Sequence, residues 1–426
     1  MGKRIVLTTY GSLGDLHPYI AIALELKQRG HQAVIATNEL YRSNVQAEGI
    51  EFYPVRPDVS FLKTEQRKEI VRRAMDSNQG IKYVIRELVL PNLRESYSDL
   101  TQAVQGADLL LTHPITFAGP IVAQETGICW ISSVLAPISL LSAFDPPFMS
   151  TESGGNLRAF GPLINGALFW LSKRSVGSWS EPIRQLRAEL GLAPVKNPLF
   201  EGQHSPILVL ALFSQVFSRQ QPDWPKQTCV AGFVFYDRKS GDPGLQPELS
   251  QFLNAGSPPI VFTLGSSAVH DAGEFYLESA IAAEKGGYRA ILLTGGDPSN
   301  VPRSLLSENI VAFDYAPYSE LFPRAAATVH QGGIGTTAQA LRSGRPMLVM
   351  PYSHDQPDNA ARAERLGVAR TIARGSYNAE SAAAELKYLL SPSYTARSAL
   401  VGQQVQAESG VRAACDQLEA RLNVAV

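Results

Sequence analysis

The sequence predicts an α/β protein of two doubly wound, Rossmann-like domains facing each other across a cleft. Three observations carry that prediction. The chain has 426 residues, more than one ordinary hydrophobic core serves. Short apolar runs alternate with amphipathic stretches from the start, the pattern of parallel strands joined by helices. The pattern then restarts after residue 258, and each half opens with a strand followed by a glycine-bearing turn.

Ile5 to Thr9 is the first strand. Pro18 to Arg29 follows as a helix, with Ile20, Ala23, Leu24 and Lys27 at helical spacing and Gly30 as its stop. Proline suits the first helical position, which puts His17 at the N-cap. Ala33 to Ala36, Leu109 to Leu111 and Ile128 to Ser132 read as further buried parallel strands. Between them, Pro57 to Tyr97 and Leu140 to Leu190 are longer, helical and rich in aromatics: Phe61, Tyr83, Tyr97, Phe144, Phe148, Phe160, Phe169, Trp170 and Trp179. Those rings either pack under long helices or wall an apolar ligand pocket.

Phe235 to Pro258 is rich in Gly, Pro, Asp and Ser and reads as a linker. Strand Ile260 to Leu264, a Gly-Ser-Ser turn, helix Phe275 to Lys285 and strand Ala290 to Leu293 come next. Then follow strand Thr328-Val329, a glycine-rich turn, a helix through Leu341 and strand Met347 to Met350. The expected division is 1–236, linker 237–258, second domain 259–395, and an amphipathic helix 396–426 returning to the first domain.

Composition excludes several function classes. Apolar residues make up 45%, charged residues 18%, and the formal net charge is −1, so there is no footprint for nucleic acid or an anionic membrane. Cys129, Cys229 and Cys415 are scattered, without a CxxC pair, which fits a reduced cytoplasmic protein and offers no metal site. The apolar run after Arg4 is too short for a signal peptide. The most apolar stretch, Ile128 to Phe144, contains Pro137 and several serines and falls short of a membrane span.

The strongest local signal is Ala327-Thr328-Val329-His330-Gln331-Gly332-Gly333-Ile334-Gly335-Thr336-Thr337. A short strand delivers a glycine cluster to a helix start. There the backbone approaches an anion closely, and free N–H groups with a partial positive charge meet it. Thr336 adds a hydroxyl, and His330 an imidazole N–H. Gly333-x-Gly335-x-x-Ala338 also matches a relaxed dinucleotide fingerprint, with Asp355 about 20 residues on, the runner-up reading of a nicotinamide oxidoreductase. Asp355, however, lies beyond Pro351, past the strand end where a ribose-binding acid belongs.

His330 to Thr337, Arg342 to Pro346, Pro351 through Asp355-Gln356-Pro357, Asn359-Ala360 and Leu366 to Val368 together resemble the donor signature of family-1 glycosyltransferases of the GT-B fold. Gly11-Ser12-Leu13-Gly14-Asp15-Leu16-His17-Pro18 resembles the opening loop of their bacterial antibiotic and sterol branch. The resemblance implies that Gly14, His330, Gly332, Gly333, Gly335 and Thr336, with Ser266, surround the donor diphosphate. It places Tyr315 against the nucleobase, with Ala316 offering backbone bonds, and Asp355 and Gln356 on the sugar hydroxyls. Plant members carry Glu at Ala338 and Trp at Gly333. Both are small here, as in the bacterial and sterol branch; a UDP-sugar, by default UDP-glucose, is the expected donor, with dTDP-sugars open.

Transfer needs a base at the acceptor oxygen. Alignment puts Asp15 there. His17, on a helix start that keeps imidazole neutral, is the alternative, and His113 stands near where relatives orient the base. No DxD sequence occurs, so no metal and no cofactor are expected, the glycine turn and His330 carrying the diphosphate charge. The implied function is metal-independent, inverting transfer of a sugar, by default glucose, to a hydroxyl of an apolar small molecule: polyphenol, polyketide, sterol or terpenoid. The competing readings are a sugar-nucleotide epimerase on the same fold and a non-catalytic ligand binder.

Overall fold

The computed structural model describes residues 2–149, 157–236 and 244–422. The N-terminal half is built on seven parallel strands: β1 (Arg4–Thr8), β2 (Gln32–Thr37), β3 (Glu51–Pro54), β4 (Leu109–Thr112), β5 (Cys129–Val134), β6 (Val209–Ala211) and β7 (Thr228–Val230). Their order across the sheet is β3-β2-β1-β4-β5-β6-β7. The C-terminal half carries β8 (Ile260–Thr263), β9 (Ala290–Leu293), β10 (Ile310–Phe313), β11 (Ala327–His330), β12 (Met347–Val349) and β13 (Ala369–Thr371), in the order β10-β9-β8-β11-β12-β13. Central strands are near-continuous apolar runs because helices cover both faces. Ile5, Val6 and Leu7 on β1, and Val261 and Phe262 on β8, are all fully buried.

Each sheet reverses its strand order once, between β1 and β4 and between β8 and β11. Ligands of open α/β sheets bind in the crevice at the carboxyl ends of the strands at such a switch point. The loops after β1 and β4, and those after β8 and β11, are therefore where chemistry is expected. Ile334, at the start of the helix after β11, packs against the cores of both halves.

The first helix corrects one expectation. It runs Leu13–Gln28, not from Pro18, and its N-cap is Ser12, whose hydroxyl accepts from the Gly14 N–H while the Asp15 carboxylate accepts from the Ser12 N–H. This reciprocal capping box satisfies two N–H groups that a start at Pro18 would leave unmade. His17 consequently lies within the helix and is not its cap.

Two further expectations are refined. Of the linker 237–258, residues 237–243 lie outside the described residues. Beyond them Pro247–Asn254 is a helix, because Leu249, Phe252 and Leu253 share one face and bury it in the C-terminal core. The returning stretch is two helices. Pro392–Gln406 packs on helix Ile334–Ser343, where Gly402 lies against Gly344. Only Gly410–Leu422 reaches the first helix, with Arg29 on Asp416 and Glu419 at 2.6 and 2.8 Å.

Candidate active site

On the N-terminal side the loop after β1 is shaped around one carboxylate. Gly11 has φ of 137°, and a Cβ there would sit 2.3 Å from Oδ2 of Asp15. Only glycine lets the backbone pass so close in that conformation. Oδ2 accepts from the Ser12 N–H at 2.7 Å and from the Ser12 hydroxyl at 3.1 Å. Oδ1 faces Nε2 of His113 at 3.4 Å. Nδ1 of His113 accepts from the Ile115 N–H, so the neutral ring carries its proton on Nε2, toward Asp15. Burial pushes the Asp15 carboxyl up. The His113 imidazole and the Ser12 donors outweigh it and hold the group below its ordinary range. His113 is itself buried at the end of β4, its ring edge-on to Tyr19, and the Tyr19 hydroxyl pairs with Ser133 at 2.8 Å.

His17 has its ring 5.0 Å from that of Tyr236. Gly14 occupies the second position of the helix. A small apolar cavity of about 20 Å³ lies at the carboxyl ends of β1 and β4, lined by Tyr10, Val89, Leu93, Ile115 and Phe117 among others, and neither Asp15 nor His113 lines it. The aromatics of the long helical segments divide. Tyr83 is buried, and Tyr97 and Trp179 pack against the N-terminal core. Phe61, Phe144, Phe160 and Trp170 are exposed.

On the C-terminal side β11 delivers His330 with no exposed surface. Burial in an uncharged setting holds its pKa down, at about 3, so the ring is neutral. Nδ1 accepts from the Gly332 N–H at 3.0 Å, which leaves the proton on Nε2, and Nε2 has no partner within the protein. An orphaned buried donor costs on the order of 1–3 kcal/mol, so its persistence marks a place where something else accepts. The turn after it needs Gly332, whose φ is 87° and whose Cβ would lie 2.8 Å from the Val349 side chain, whereas Gly333 has an ordinary φ of −57°. Gly335 faces open space. Thr336 lies in the first turn of helix Ile334–Ser343, where N–H groups lack intrahelical partners.

Ser266 is exposed on the short turn Gly265–Ala268 that ends β8. Tyr315 is 51% exposed beyond β10, while Ala316 behind it is buried. Asp355 and Gln356 start helix Gln356–Arg365. The Asn359 amide bridges this helix to the glycine turn, donating to the Gly332 carbonyl at 2.9 Å and to Asp355 Oδ2 at 2.7 Å. Burial pushes Asp355 up to about 7, against the Asn359 bond, and the charge of Asp15 across the cleft adds to the rise. Gln356 turns its carbonyl oxygen inward to the Tyr352 N–H at 2.9 Å.

The structure thus pairs Asp15 with His113 and sets Asp15 within electrostatic reach of Asp355, which Asn359 ties to the glycine turn after His330. Asn359 and Tyr41 brace these loops, the first through its two amide bonds and the second through its hydroxyl, which donates to the Gly11 carbonyl at 2.9 Å. Gln331 and Asn359 fall within the donor signature visible in the sequence, whereas Tyr41 carries no local signal. Among the described residues no three His, Cys, Asp or Glu side chains gather in a way that could hold a metal ion. No helix among those residues is long and apolar enough to cross a membrane.

The Asp15–His113 pair and the glycine turn each stand at a switch point of their sheet, and comparison with known proteins says to which family a chain so built belongs. Residues 5–101 match the glycosyltransferase family 28 N-terminal domain, and residues 292–420 match the Erythromycin biosynthesis protein CIII-like C-terminal domain. The chain belongs to the family-1-like glycosyltransferases of the GT-B fold. It is 33% identical to O-mycaminosyltylonolide 6-deoxyallosyltransferase of Streptomyces fradiae, over 98% of this chain and 97% of that one. It is 28% identical to a sterol 3-beta-glucosyltransferase of Neurospora crassa over 96% of its own length, spanning 26% of that longer protein. Among solved structures, the glycosyltransferase VinC in complex with DTDP superposes with a TM-score of 0.64 at 19% identity, over 99% of this chain and 100% of the other. The nicotinamide reading of the glycine turn gives way to this one.

Proposed function

We propose that the enzyme moves a hexosyl group from a nucleoside diphosphate donor to a hydroxyl of an apolar, macrocyclic or polycyclic natural product. Transfer is by single displacement with inversion, without metal or cofactor, in the cytoplasm. The carrying observations are a depressed, His113-oriented carboxylate at Asp15, within electrostatic reach of Asp355, and the unpartnered Nε2–H of His330 beside the glycine turn.

Asp15 takes the proton of the acceptor hydroxyl as its oxygen attacks the anomeric carbon. The bond from that carbon to the diphosphate oxygen breaks, and the nucleoside diphosphate leaves with the electron pair. The charge it develops falls on the His330 N–H, the N–H groups at the start of helix Ile334–Ser343 and the Thr336 hydroxyl. Fixed donors in a buried setting serve a developing anion far better than water does, which is what makes a metal unnecessary. Tyr315, half-exposed beyond β10, stacks on the base. Asp355, with a pKa near neutrality, both accepts from and donates to sugar hydroxyls.

The sequence favours UDP-glucose. Solved neighbours in complex with DTDP or thymidine diphosphate support thymidine diphosphate sugars ahead of it. The test is release of nucleoside diphosphate in EDTA, with TDP- and UDP-sugars against macrolide, aromatic polyketide and sterol acceptors. Acceptor-dependent release with a TDP-sugar supports the reading. Release that requires an added divalent ion overturns the metal-free mechanism, and preference for UDP-glucose overturns the donor assignment.

A further inference from the structure

His354 stands immediately before Asp355, and its backbone has φ of 60°, the one left-handed residue other than glycine among those described. A left-handed His is uncommon and carries a conformational cost, kept where surrounding structure enforces it. Its Nε2 lies 2.8 Å from the carbonyl oxygen of Ala74. A carbonyl only accepts, so Nε2 bears the proton and donates. Ala74 ends helix Thr64–Ala74 of the N-terminal half, where last-turn carbonyls lack intrahelical partners. The bond therefore spans the two domains.

Helix Thr64–Ala74 and the residues just after it form an arm that touches the donor side at further places. Lys68 pairs with Asp297 at 2.8 Å. Met75 is buried with Ile260, Phe262 and Tyr352 in the C-terminal core, and Val71 packs against it. Gly80 lets the chain pass Ala74 and Ser353 closely, since a Cβ there would lie 2.2 Å from the Ala74 carbonyl oxygen and 3.5 Å from the Ser353 hydroxyl. The arm also lies over the turn Gly265–Asp271 that carries Ser266.

We propose that His354 is a positioning residue for transfer: by holding the arm Thr64–Ala74 on the donor domain it fixes Asp355 against the sugar and keeps water from the anomeric carbon. This rests on the glycosyltransferase reading. The competing reaction it suppresses is hydrolysis. There a water oxygen attacks the anomeric carbon, its proton passes to Asp15, and the nucleoside diphosphate leaves with the electron pair to give free sugar. A shut cleft favours the acceptor hydroxyl over water.

The experiment compares His354→Asn, His354→Gln and wild type. Asn tolerates the left-handed backbone but is too short to reach Ala74. Gln can place an amide N–H near the position of Nε2. His354→Asn should lower kcat for transfer about fivefold to tenfold, the worth of one lost hydrogen bond, with donor KM changed less than about threefold. Its ratio of hydrolysis to transfer should rise, and Gln should restore part of both. Amide exchange across residues 64–75 should quicken in His354→Asn and not in Gln.

An unchanged hydrolysis ratio, or an arm that exchanges as in wild type, overturns the proposal. Absence of transfer by wild type with every donor and acceptor would instead overturn the glycosyltransferase reading. Exchange of the arm would then decide the latch by itself.

Discussion

Replacing Asp15 with Asn is the most informative single perturbation. The change keeps size and shape. An amide oxygen still accepts from the Ser12 N–H and hydroxyl, now at 2.7 and 3.1 Å, so the capping box of the first helix survives. The amide NH2 then faces Nε2–H of His113, formerly 3.4 Å from Oδ1, and that pairing is lost or reversed by a tautomer switch. The structural cost is that of a weakened cap and one exchanged hydrogen bond, about 1 kcal/mol. The chemical cost is the whole proton-accepting function, worth about 10²- to 10⁴-fold in kcat. Donor KM should stay within about threefold, because Asp15 lies opposite the nucleotide. The assay is acceptor-dependent nucleoside diphosphate release, with Tm measured in parallel. A variant that folds and retains more than about a tenth of wild-type kcat would refute Asp15 as the base and return attention to His17.

Three other outcomes follow from the same geometry. Gly335→Ala should raise Tm of the free enzyme, because alanine is worth about 0.5–1 kcal/mol over glycine in a helix and the new methyl meets nothing. The same methyl should raise donor KM by intruding on the anion, and unchanged donor affinity would remove Gly335 from the site. His330→Asn keeps an acceptor for the Gly332 N–H but deletes the Nε2 donor. It should cost about 10²- to 10³-fold in kcat, unrestored by magnesium, as read by steady-state kinetics. Asp355, raised to about 7, binds its proton more tightly folded than unfolded, so its contribution to stability is present below about pH 4 and lost as pH rises through 7. Asp355→Asn, which stays neutral, should therefore gain in Tm relative to wild type between pH 5 and pH 8. A constant difference would show that Asp355 is not perturbed.

The sequence made the two-domain architecture and the donor turn legible, because both are local signals. Apolar runs such as Ile260 to Leu264 and the glycine cluster after His330 declare themselves without knowledge of the rest of the chain. Shorter strands were less visible. β7, β10 and β13 have three or four residues each, too few for periodicity to separate strand from loop, and β6 sits inside an apolar run that fits strand or helix equally. Pro18 suggests a helix start of its own, but Ser12-x-x-Asp15 is a capping-box signature and sets the start at Leu13. Asp15 and His113 are 98 residues apart, and nothing local places them at 3.4 Å. That contact comes from β1 and β4 being neighbours at the switch point. The left-handed backbone of His354 and its bond to Ala74, 280 residues away, are equally long-range, and His354 reads from sequence alone as an ordinary loop histidine.

The central claim is glycosyl transfer with inversion at this cleft, and the product tests it most directly. Wild-type enzyme, a TDP-sugar and a macrolide or sterol acceptor should be incubated in EDTA and the product examined by mass spectrometry and NMR. The account predicts an acceptor heavier by one glycosyl unit, with an anomeric configuration opposite to that of the donor. Donor consumed to free sugar with no glycosylated acceptor, or a product that retains the donor configuration, would contradict it.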